Sequence, residues 1–74
     1  MGSKLPVLSG REAARIFGVF GWQVVRQASS HLILTKPGEA VTLSVPDHDE
    51  VAKGTLRSLI RSAHLTVDDF VRAR

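Results

Sequence analysis

The sequence predicts an α+β fold, a three-stranded antiparallel sheet with helices on one face. Three observations predict it. A Ser-x-x-Glu capping sequence, Ser9-Gly10-Arg11-Glu12, leads into an apolar stripe at helical spacing, Ala13, Ile16, Phe17 and Phe20. Three β-prone stretches follow, divided by turn residues, and the last, Ala40 to Val45, alternates apolar and polar. A second helical stripe, Leu56, Leu59, Ile60 and Ala63, then closes the pattern. The order is α-β-β-β-α(α), the final helix being short.

The first helix is expected from Gly10 to Phe20, ended by Gly21, which can take the left-handed conformation. Trp22 to Gln27 reads as the first strand and Ala28-Ser29-Ser30 as a hairpin turn whose type the residues leave open. His31 to Lys36 is the second strand, and Pro37-Gly38-Glu39 is a strong turn signal. The third strand would bury Val41, Leu43 and Val45 and stop at Pro46. If the second strand buries Leu32 and Leu34, His31, Ile33 and Thr35 face the other way. An Ile on that open face is either a partner contact or a sign of the inverse register. The second helix runs from Lys53 to Ala63, and Thr66-Val67-Asp68-Asp69 starts the last one, Val67 to Arg72, packing Val67 and Phe70.

Seventy-four residues make one domain, 1–74, with residues 1–5 expected to be loose. A core this small rarely supplies more than about 3–5 kcal/mol, so a partner, or a second copy of the chain, is a reasonable expectation. The chain has no cysteine, which excludes disulfides and thiolate metal sites and suits a reducing cytoplasm. No spacing of His, Asp or Glu suggests a metal site. No apolar run is long enough for a membrane span, and no secretion signal is visible. Ten Lys and Arg against seven Asp and Glu give a net charge of +3. Its distribution says more than its size. Between Val51 and Val67 there is no acid, and Lys53, Arg57 and Arg61 fall there at i, i+4 and i+8, one line along a helix.

Chemistry concentrates in Ser30-His31, an imidazole directly after two hydroxyls where a strand leaves a hairpin. Histidine is the side chain best matched to proton transfer near neutral pH. On context alone it reads as an exposed or packed strand histidine, Ser30 as a turn residue and the basic line as a solvated helix face. His48 and His64 read as surface residues, and Trp22 as core or rim.

The residues also resemble a known family, the HicA toxins of bacteria, small ribonucleases with a fold like the double-stranded RNA-binding domain. The resemblance runs from about Lys4 to Phe70. Leu5-Pro6-Val7-Leu8-Ser9-Gly10 looks like the family's opening, and Gly21-Trp22 with Val25-Arg26-Gln27 like its first strand. Ser30-His31 sits where the family has Gly-Ser-His, and Lys53-Gly54-Thr55-Leu56 looks like the start of its second helix. Two departures stand out. Ser29 replaces the usual glycine, and Lys36 stands before Pro37 where many members carry histidine.

The resemblance implies a metal-free, cofactor-free endoribonuclease acting on mRNA in the cytoplasm, with His31 catalytic and a HicB-type antitoxin blocking the site. Ser30 would orient the imidazole or donate to a phosphate oxygen. Lys36 would stabilise developing negative charge. Lys53, Arg57 and Arg61 would follow the RNA backbone by charge and shape. Two other readings fit the same pattern: a non-catalytic RNA-binding module, and a protein-interaction domain using its open sheet face.

Overall fold

The computed structural model describes residues 4–74. Six elements follow one another: α1 (Gly10–Val19), β1 (Gln23–Ala28), β2 (His31–Thr35), β3 (Leu43–Pro46), α2 (Lys53–Ser62) and α3 (Val67–Arg72). The strands form one antiparallel sheet in the order β1-β2-β3. This is the α+β arrangement expected, with the topology of the double-stranded RNA-binding domain.

The capping box at α1 forms as the sequence required. The Ser9 hydroxyl accepts from the Glu12 N–H at 3.1 Å, and the Glu12 carboxylate accepts from the Ser9 N–H at 2.9 Å. At the other end Gly21, at φ +98°, completes a Schellman motif. Its N–H donates to Gly18 and that of Trp22 to Phe17. Gly10 is held close to the strand exit by its N–H bond to the His48 carbonyl, and a Cβ there would run into the Pro46 carbonyl. That close approach is what seats the start of α1 against the end of β3.

The apolar stripes meet where their periods predict. Ala13, Ile16 and Phe17 of α1, Leu32 and Leu34 of β2, Leu43 and Val45 of β3, and Leu56 and Ile60 of α2 are all buried. Phe70 of α3 is fully buried against Phe17, ring centroids 4.9 Å apart. Trp22 lies in this core rather than at its rim, and its indole N–H finds no acceptor among the described residues.

Leu5 is buried as well, so the looseness expected for residues 1–5 does not extend to it. Residues 1–3 lie outside the described part. A second difference concerns β3. Pairing with β2 begins only at Leu34–Leu43, so Ala40 to Thr42 belong to the connecting loop and Val41 is exposed. β2 already ends at Thr35, leaving those residues no ladder to join. Pro46 is the last residue of the strand rather than its stop, which an edge position permits.

Candidate active site

A two-residue loop, Ser29–Ser30, joins β1 to β2 between the paired residues Ala28 and His31. Ser29 takes φ +58° and Ser30 does not, the pattern of a type II′ hairpin turn. Glycine suits that first position, so Ser29 closes the same turn at some conformational cost. The loop is tied to the exit of β3. The Asp47 N–H donates to the Ser30 carbonyl at 2.7 Å. The Asp47 carboxylate in turn accepts the Gln27 amide at 3.1 Å and the Arg11 guanidinium at 3.3 and 3.4 Å. One acid thus joins α1, β1 and the hairpin.

His31 follows at once. Its alternation with Leu32 and Leu34 sends it, Ile33 and Thr35 to the open face of the sheet, and all three are half-buried there. Ala28 on one side and Pro46 on the other are its cross-strand neighbours. Both are short side chains. Ser30 is exposed beside it, with its hydroxyl unpartnered among the described residues.

The basic residues divide. Lys53, Arg57 and Arg61 are exposed on α2, and none forms an ion pair among the described residues. α2 covers the face opposite His31, but it starts from the loop that leaves β3 beside the imidazole. Its N-terminus carries no side-chain cap, Ala52 being the N-cap residue, so the first N–H groups are available to an anion. Lys36 lies at the far end of β2, roughly 16 Å of extended chain from His31, with its stem against Gly21. The structure therefore does not bring Lys36 to the imidazole.

His48 is exposed. His64 is also exposed and faces Glu39 across 3.2 Å. A groove of about 330 Å³, lined by Arg11, Ala14, Arg15, Val24 and Leu32, opens between α1 and β1 on the covered side, away from the imidazole.

Asp47, Gln27 and Arg11 are residues the sequence did not single out. Asp47 stands in the sequence with two more acids, Asp49 and Glu50, but its own carboxylate is engaged by Arg11 and Gln27. A β-bulge at Val25 is equally invisible in the sequence. It lets Val24 pair with Leu34 and Arg26 with Ile33, which sets Arg26 on the same open face as His31.

Among curated proteins no match to the chain was found. A family model, described as the HicA toxin of bacterial toxin-antitoxin, matches residues 10–65, from the first helix to beyond the second. With the fold, the hairpin histidine and this match in agreement, the chain belongs to the HicA toxin family.

Proposed function

We propose that the protein is an endoribonuclease toxin that cuts mRNA with His31 as its acid–base residue, and that a HicB-like antitoxin neutralises it by covering the open sheet face. The observation that carries this reading is a single imidazole standing on an uncovered sheet face, on a hairpin fixed by Asp47, in a chain of a toxin family.

The chemistry follows from what one imidazole can do. His31 takes the proton of a ribose 2′-OH. The 2′ oxygen bonds to the adjacent phosphorus, the bond from phosphorus to O5′ breaks, and the leaving oxygen takes a proton from water. The products are a 2′,3′-cyclic phosphate and a 5′-hydroxyl. One histidine cannot serve as base and acid in the same step, hence the water. Ser30, beside the ring, donates its hydroxyl to a phosphate oxygen. The α2 line of Lys53, Arg57 and Arg61, with the open helix N-terminus, holds the flanking backbone around the sheet's end. Lys36 contacts the strand further along rather than the phosphate being cut.

The test is cleavage of mRNA in EDTA by wild type and His31→Ala. Wild type is expected to cut, and the variant to lose about 10²- to 10⁴-fold in rate, the usual worth of a general base. Equal rates would refute His31 as the catalyst. Binding without cutting by wild type would leave an RNA-binding module in place of the enzyme.

A further inference from the structure

We propose that Arg26 is the phosphate-binding residue of the His31 site, aimed there by the bulge at Val25. The inference rests on the ribonuclease reading but on separate observations. Uninterrupted alternation from Val24, which faces the helices, would turn Arg26 to the helix side as well. The register instead pairs Val24 with Leu34, Arg26 with Ile33 and Gln27 with Leu32. Two side-chain placements agree. Val24 lines the groove with Arg11, Ala14 and Arg15, and the Gln27 amide reaches Asp47 together with Arg11. Val24 and Gln27 thus share the helix side although they are an odd number of positions apart. An extra residue between them is what allows this, and it turns Arg26 to the open face.

On that face Arg26 stands opposite Ile33, and His31 is Ile33's neighbour two positions along. Arg26 and His31 are therefore diagonal cross-strand neighbours, about 7–8 Å apart at the backbone, a span a long side chain bridges. Arg26 is the one strand residue with a fixed charge, is exposed, and has no ion-pair partner among the described residues. A guanidinium in that state offers a planar fork matched to two phosphate oxygens. A phosphate gripped there has its neighbouring 2′-OH over the imidazole. As the 2′ oxygen adds, charge builds on the two non-bridging oxygens, and the contact strengthens where it lowers the barrier. Arg26 so takes the part that the sequence had suggested for Lys36.

The experiment compares single-turnover cleavage by wild type, Arg26→Gln and Arg26→Lys at saturating RNA. Arg26→Gln is expected to be about 10²- to 10³-fold slower. Arg26→Lys, which keeps charge and stem but loses the fork, should recover only part of that. RNA affinity, measured in the His31→Ala background, should fall only a few-fold, separating transition-state contact from general attraction. Should wild type cut RNA while Arg26→Gln cuts equally fast, the arginine assignment is wrong and the enzyme stands. If Arg26→Gln does not fold, Arg26→Lys decides, and a wild-type rate for it overturns the forked contact. If wild type does not cut at all, the ribonuclease reading fails. Arg26 is then judged by titrating an all-deoxy oligonucleotide into labelled protein. Joint shifts of the Arg26 Nε–H and His31 ring resonances would support a shared phosphate site, and unmoved resonances would overturn it.

Discussion

Ser29 and His64 are the two described residues other than glycine with positive φ, at +58° and +62°. Each occupies a position that glycine fills at no steric cost. Ser29 is the first loop residue of the hairpin. His64 is the C′ residue of α2, where its N–H donates to Arg61 and that of Leu65 to Ile60, a second Schellman motif. Ser29→Gly is therefore expected to stabilise the protein by about 1 kcal/mol. His64→Gly should gain somewhat less, because it gives up the exposed contact with Glu39, worth no more than about 1 kcal/mol. Urea denaturation measures both. Ser29→Gly should also leave the cleavage rate unchanged, since the turn already has the shape glycine would give it. A loss of activity would mean that the serine, not the shape, matters.

The helices were legible because their signals are local. Ser9, Glu12 and Gly21 fix both ends of α1, and the apolar stripes fix its buried face without reference to the rest of the chain. The hairpin was legible for the same reason, but the face His31 occupies was left open, because Ile33 beside it fitted the inverse register too; the burial of Leu32 and Leu34 decides it. What was not legible depends on partners distant in sequence. The bulge at Val25 is a property of the β1–β2 ladder, the late start of β3 follows from where β2 ends, and Asp47 is taken up by groups from α1 and β1.

Within α1 the capping box makes a pH prediction. The Ser9 backbone N–H, then its hydroxyl, hold the Glu12 carboxyl below the usual range, with Arg15 and Arg74 adding to the effect. A carboxyl whose pKa is lower folded than unfolded contributes stability above its unfolded value, about 4.3, and loses it as pH falls through the folded value. Glu12→Gln keeps the box but not the charge. Its melting temperature should lie below wild type at neutral pH, and the two should converge as pH drops below about 4. A constant gap across that range would refute the charge as the cause.

At the scale of the whole molecule, the charge is arranged rather than large. The net +3 of the chain equals the charge of Lys53, Arg57 and Arg61 together, so neutralising the three brings it to 3 − 3 = 0. These side chains are exposed and unpaired among the described residues, so they hold nothing in that part of the fold. Their exchange for Gln should leave the melting temperature nearly unchanged while weakening RNA binding. The salt dependence says how. Each phosphate contact on single-stranded RNA contributes about −0.7 to the slope of log K against log salt concentration. Losing three contacts flattens the slope by roughly 2 units. Anisotropy titrations of His31→Ala protein, with and without the triple substitution, measure this without cleavage interfering. Weakened binding at an unchanged slope would mean that the three side chains act through something other than charge, since long-range attraction is itself screened by salt. An unchanged affinity would place the RNA wholly on the open face with His31 and Arg26, leaving α2 as a solvated surface.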